Sequence, residues 1–479
     1  VVKNLKKFIV LTLIAAIIIT PMNTAQCQAS TSFSNAVYYT FGTKQDGFIA
    51  KEWDTNYYEL ELPSSGAIDL TFNAEMEKVN LAIYDSDGEA IWNEYCYWNS
   101  TLEMIKTNRT VNLTGGTYYF CVAQVSSYSG NFDFTITHNP SNESFAENYQ
   151  IRDNTLNLAN AIDYKMKYNG QLAMNDEKDF YKFTVETSGS VEMEFSAQIE
   201  KLVLLIYDTN GNELWNSYEY YNNTTKLITA RYWFDLIGGT YYFCVQRNTG
   251  YYGNYNFEFT FETASESFRE DGAESNNMMN SASVINTDTA YNGQIAINDE
   301  KDFYTFTLTK NMTVKFNFTA LMDKVGLFLY DSRGNEIWSS YEYFDNVTYE
   351  ISVLKDITLL SGSYYLCIQQ LSGKTGDYTF CIVKPVAETK ITSLTTASKT
   401  VTAKWSAVRG CTGYEVQYSS DKYFDSNDKI IMVNNNSLAY KIKKLKKGKT
   451  YYVRVCAYVF VNDKYYWGPW SSYKYIKCK

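Results

Sequence analysis

The side chains best suited to chemistry in this chain are oxygen donors in two short stretches: Glu274, Asn276 and Asn277 in one, Asp299 and Asp302 in the other. Calcium takes six to eight oxygen ligands from carboxylates, amide carbonyls and the backbone. Two carboxylate-bearing segments brought to one end of a domain could supply them, which makes these five residues a candidate calcium site. The competing reading is a solvated linker beside a polar turn, and the sequence leaves both open. An earlier copy of the pattern keeps Asp153, Asn154, Asp176 and Asp179 but has Ile151 where Glu274 stands, which weakens that site. A still earlier copy has Thr55 and Asn56, and no site is expected there.

A second candidate is aromatic. Trp215, Tyr218 and Tyr220 recur as Trp338, Tyr341 and Tyr343. Flat rings of this kind stack on sugars or anchor protein interfaces, although alternate members of such a run can equally pack into a core. Other chemistries find little material. His138 is the only histidine, so a Ser-His-acid, Cys-His or His-rich zinc site has nothing to build on. Glu192 and Glu194 share a strand face and read as its solvated side rather than as a glycosidase pair. The Asp208-Thr209-Asn210-Gly211 turn has its glycine at the fourth position, which suits a hairpin and not an EF-hand loop. The formal charge of −10 argues against nucleic-acid binding. The basic run Lys441–Lys449 could touch anionic polymers, but reads more simply as a solvated turn between strands.

The elements that must position these groups recur with a period of 123 residues. Asn298-Asp299-Glu300-Lys301-Asp302-Phe303-Tyr304-Thr305-Phe306 matches Asn175 to Phe183, and in degraded form Glu52 to Leu60. Cys121, Cys244 and Cys367 keep the same spacing, as do Trp92, Trp215 and Trp338. One equivalent cysteine per copy reads as a small buried hydrophobe. Short alternating runs such as Val191 to Phe195 and Val314 to Phe318 have the period of half-buried strands, and no sustained helical periodicity follows residue 30. The chain is therefore read as all-β, with tandem antiparallel sandwiches over residues 30–139, 140–263 and 264–384. Short linkers at Asn139-Pro140-Ser141, Thr263-Ala264-Ser265 and Lys384-Pro385-Val386 predict a semi-rigid string. Lys3, Lys6 and Lys7 precede an apolar run from Phe8 to Ile19, and Cys27-Gln28-Ala29 offers small residues for cleavage, so residues 1–29 read as a signal peptide. That run is shorter than the roughly 20 residues of a membrane span, and no span is expected in the mature chain.

Glu274-Ser275-Asn276-Asn277, Tyr291-Asn292-Gly293-Gln294, the Asp299 to Phe306 stretch, Leu329-Tyr330-Asp331 and Gly362-Ser363-Tyr364-Tyr365 resemble the bacterial pre-peptidase C-terminal domain. The resemblance implies jelly-roll-like, secreted sandwiches appended to hydrolases or strung along surface proteins. It also implies calcium, which related modules of clostridial collagenases hold through a similar Glu-x-Asn-Asn segment and paired acids. Residues 386–479 break the period and resemble an Ig-like fibronectin type III domain. There Trp405 stands for the core tryptophan of the second strand, and Tyr451 is placed near a tyrosine corner. Together these features predict a non-catalytic extracellular or cell-surface protein that binds polysaccharide or matrix protein. The alternative is an accessory subunit of a secreted hydrolase.

Overall fold

Alternating apolar residues separated by Gly, Asn and Asp turns give short strands, and in the third repeat these form two sheets. The computed structural model describes residues 33–50, 54–125, 129–147, 153–248, 250–269, 276–425 and 428–479. The expected signal peptide, together with Cys27, Ile151 and Glu274, lies outside them. One sheet of the third repeat runs Ser283–Val284, Lys301–Leu308, Gly362–Ser372, Lys324–Asp331, Glu336–Tyr343 in spatial order. The other runs Ala290–Ile295, Gly376–Val383, Met312–Ala320, Ile351–Leu359. All pairings of these strands are antiparallel except that of the two-residue edge strand Ser283–Val284. Inward residues of both sheets, among them Phe306, Phe316, Phe318, Leu327, Leu366 and Phe380, make one apolar core. Burial of this alternating set is what selects the strand register, because a one-residue slip would turn it to solvent.

The same pair of sheets recurs in the second repeat, where Lys178–Val185 is the counterpart of Lys301–Leu308 and Ile228–Leu236 the counterpart of Ile351–Leu359. It recurs again in the first, built around Thr55–Leu62 and Gly66–Ala74. The chain divides into two compact units. One holds the first repeat with Gln171–Glu177, and the other holds Asp153–Gly170 and Lys178–Lys479. Cys121, Cys244 and Cys367 are buried, as the period suggested. No helix among the described residues is long and apolar enough to cross a membrane, which says nothing of spans made by strands.

The last domain pairs Ile391–Ala397, Thr400–Trp405 and Ala439–Ile442 in one sheet. Gly413–Ser419 and Thr450–Val461 centre the other. Trp405 is buried against Tyr414, at 5.5 Å between ring centroids. The Lys446 N–H donates to the Tyr451 hydroxyl at 3.0 Å, which is the corner expected of that tyrosine. Most of the lysine run lies between the strands Ala439–Ile442 and Thr450–Val461, with Leu445 turned into the core.

This domain does not hang on its linker alone. Val459, Val461 and Tyr466 pack on Cys381 and Val383 of the third repeat in a small apolar cluster. Lys464 Nζ donates to Asn317 Oδ1 at 3.0 Å. Val461→Asp would bury an unpaired carboxylate in that cluster and should lower stability by about 2–4 kcal/mol in a denaturant melt of the whole chain. An unchanged midpoint would mean that the contact is not made in solution.

Candidate metal centre and aromatic surface

The acidic nonapeptide that marks each repeat opens a central strand. In the third repeat Ala296 to Asp299 closes a turn, with the Asp299 N–H donating to the Ala296 carbonyl at 3.1 Å, and Lys301–Leu308 follows. Asp302 is buried, and the Tyr378 hydroxyl donates to its Oδ2. Tyr378 in turn shares a hydrogen bond with Tyr304. Burial, and after it the Asp302 charge, hold the Tyr378 phenol well above its ordinary pKa, so it stays a donor. Gly293 explains part of the Tyr-Asn-Gly-Gln sequence, since a Cβ there would lie 2.3 Å from the Tyr378 hydroxyl. The second repeat repeats this arrangement with Asp179, Tyr255 and Tyr181.

Asn276 comes to the same place along a separate piece of chain. Its carbonyl accepts from the Phe303 N–H at 2.9 Å, beside Asp302. Asp299 and Asn276 are both buried. Among the described residues neither polar atom of the Asn276 side chain has a hydrogen-bond partner, and the Asn277 Oδ1 has none. Leaving buried amide groups unpaired costs about 1–3 kcal/mol each. An oxygen-seeking cation held with the carboxylates of Asp299 and Asp302 would satisfy the two amide oxygens, though not the Asn276 Nδ2, so Asn276, Asn277, Asp299 and Asp302 are a donor set that fits calcium.

The expected weakness at Ile151 overlooked Glu147. In the unit that contains it, its buried carboxylate lies within 4.8 Å of that of Asp176. Glu147 falls one period before Glu270, in Glu143-Ser144-Phe145-Ala146-Glu147 against Glu266-Ser267-Phe268-Arg269-Glu270, and that alignment was the signal available in the sequence. Nearby Glu143 has its pKa pushed up to about 7, by burial first and then by the Glu147 charge, with Ser65 opposing.

The aromatic run separates into two populations. Trp215 turns inward, 4.7 Å from Tyr232 and 4.8 Å from Phe234 between ring centroids, and Trp338 packs on Phe316 at 5.8 Å. Tyr218, Tyr220, Tyr341 and Tyr343 are 56–63% exposed. They stand on the outer strands Glu213–Tyr220 and Glu336–Tyr343 of the five-stranded sheets. Lys201 Nζ lies over Tyr218 and Tyr220, at 5.6 and 4.9 Å from the ring centroids, and Lys324 over Tyr343 at 5.0 Å. Lys78 repeats the arrangement with Tyr95 and Tyr97. The tryptophans named with the tyrosines therefore belong to packing, and the exposed surface is made of tyrosines under a lysine. The Asp208 turn is a hairpin turn: the Asp208 carboxylate accepts from the Asn210 and Asn212 N–H groups, and Gly211 has φ +81°.

No family model matches the chain, and no curated protein matches it. Solved structures similar to it include the pre-peptidase C-terminal domain of a collagenase from Bacillus anthracis, at 18% identity and TM-score 0.18, covering 21% of this chain and 93% of that one. A two-domain fibronectin type III segment of chicken tenascin matches at 15% identity and TM-score 0.19, covering 37% and 98%. A β-1,2-glucanase from Parabacteroides distasonis matches at 8% identity and TM-score 0.17, covering 40% of this chain and 31% of that one.

The raised pKa of Glu143 has a measurable consequence. The folded chain holds a proton there that the unfolded chain, with a glutamate pKa of about 4.3, has released. The Glu143 contribution to stability is therefore greatest at low pH and is lost as pH rises from about 4.5 to about 7. In EDTA, Glu143→Gln should raise stability by about 1–3 kcal/mol at pH 8 and leave it unchanged at pH 4. Equal effects at both pH values would show that Glu143 titrates normally.

Proposed function

We propose that this chain is an exported, non-catalytic binding protein that recognises extracellular carbohydrate or matrix protein and uses calcium as a structural ion. The observation that carries the reading is the recurrence of a tyrosine pair beside a lysine on the outer strand of each repeat, both rings exposed in the second and third and Tyr97 exposed in the first. Exposed rings at fixed spacing serve no core, and repeated weak sites on one chain gain avidity when the ligand is itself repetitive. In this reading Asn276, Asn277, Asp299 and Asp302 hold the calcium, with Glu274 supplying a further carboxylate.

Retention on a solid matrix tests the binding role. The purified chain should stay on at least one of a set of insoluble polysaccharides or on fibrillar collagen, and Tyr218→Ala with Tyr341→Ala should reduce retention without lowering the melting point. Failure on every matrix would overturn the reading and favour an accessory role beside a secreted hydrolase.

Calcium is tested by melting. At a hundredfold excess over Kd, the calcium-bound segment should gain about 2.7 kcal/mol over the chain in EDTA, and Asp302→Asn should abolish the gain. Identical melts in calcium and EDTA would remove the ion from the account.

A further inference from the structure

The outer face of the four-stranded sheet has a different fate in each repeat. In the third, the last domain occupies it: Ala290 and Cys381 meet Val459, Val461 and Tyr466, and Asn317 accepts from Lys464. One period earlier the corresponding residues are Lys167, Glu258 and Glu194. Those three charged side chains cannot seat an apolar hairpin without losing their hydration. They instead line an open groove of about 400 Å³, together with Asn256 and Arg231.

Trp233 stands two residues beyond Arg231 on the same strand, Ile228–Leu236, with 56% of its surface exposed. The Arg231 guanidinium lies 5.2 Å from its ring centroid and pairs with Glu192, and with Glu194 at 3.6 Å. Glu194 and Glu258 face each other in register across neighbouring strands. Like charges in that position destabilise a sheet, so folding does not account for them. The first repeat has Thr71, Thr110 and Thr135 where Glu194, Trp233 and Glu258 stand, so the charged and aromatic side chains are particular to the second.

We propose that this face of the second repeat is a binding groove for a short, uncharged oligosaccharide. The inference rests on the chain being a binding protein and narrows its ligand. A pyranose ring stacks on the Trp233 face, and its hydroxyls take up the exposed donors and acceptors. Glu194 and Glu258 accept from hydroxyls, Lys167 and Arg231 donate to them, and Asn256 does either. Three carboxylates with Glu192, against two cations, disfavour a polyanion. The open groove, with charged and amide side chains beside apolar surface, suits a ligand that carries hydroxyls along its length.

The test is calorimetric titration of neutral hexasaccharides, β-1,4-linked glucose, xylose, mannose and N-acetylglucosamine and α-1,4-linked glucose, into the purified chain. At least one should bind. Trp233→Ala and Glu258→Gln should each weaken it about tenfold or more without lowering the melting temperature, because Trp233 is exposed and Glu258→Gln removes a like-charge pair. Equal binding by the parent chain and both groove variants would overturn the groove while leaving carbohydrate recognition standing. Retention on collagen with no hexasaccharide bound would overturn this inference and leave the binding role. Failure of both would overturn both.

Discussion

The carboxylates at the head of each central strand are the constraint around which the second and third repeats are arranged. Asp302 and Asp179 are buried, and burying a carboxylate costs several kcal/mol unless hydrogen bonds or opposite charge compensate it. The tyrosines Tyr378 and Tyr255 supply part of that compensation from the opposite sheet. To do so they must lie flat on Gly293 and Gly170, where any Cβ would collide with the tyrosine. One buried charge thus fixes a tyrosine, the tyrosine fixes a glycine, and both sheets are tied at one end.

The same turn also joins one repeat to the next. Asn298 donates to the Tyr241 hydroxyl at 2.8 Å, and the Ile297 N–H to the Asp235 carbonyl at 2.9 Å. In the other unit Asn175 donates to Tyr118 at 3.0 Å, and the Met174 N–H to the Asn112 carbonyl at 2.8 Å. Adjacent residues therefore serve different neighbours: Asn298 clamps the preceding repeat, while Asp299 enters the acidic pocket of its own. If the proposed calcium is bound, ordering Asp299 would also order the neighbouring residue that makes the joint. The short linkers alone would have left that junction looser.

Most of the fold was legible because its causes are local. Alternation in Val314 to Phe318 reports a half-buried strand directly, and the 123-residue period multiplies the signal. The candidate metal residues stood out in the sequence only as residue types, because Asp and Asn flanking a strand serve turns as readily as they serve a cation. Glu147 aligns with Glu270 one period on, but that alignment does not say which of the nearby acids turns inward, and the tertiary fold does. The aromatic run had the same limit. Trp215 and Tyr218 stand three apart and thus point to opposite faces of one strand. Sequence gives that alternation but not which face is the core.

The face of the four-stranded sheet shows how one scaffold acquires separate roles without altering its core. Its strands are held by the inward residues, and Phe257 and Phe259 of the second repeat do the work that Phe380 does in the third. The outward residues are under no such constraint. Ala290 and Cys381 convert the face into a seat for the next domain, while Lys167 and Glu258 keep it hydrated and open. A groove of this kind needs no change of backbone, only the withdrawal of apolar side chains from one side. The exchange runs in both directions: apolar residues at Lys167 and Glu258 would turn an open groove into a docking surface, and the third repeat shows what covers such a surface.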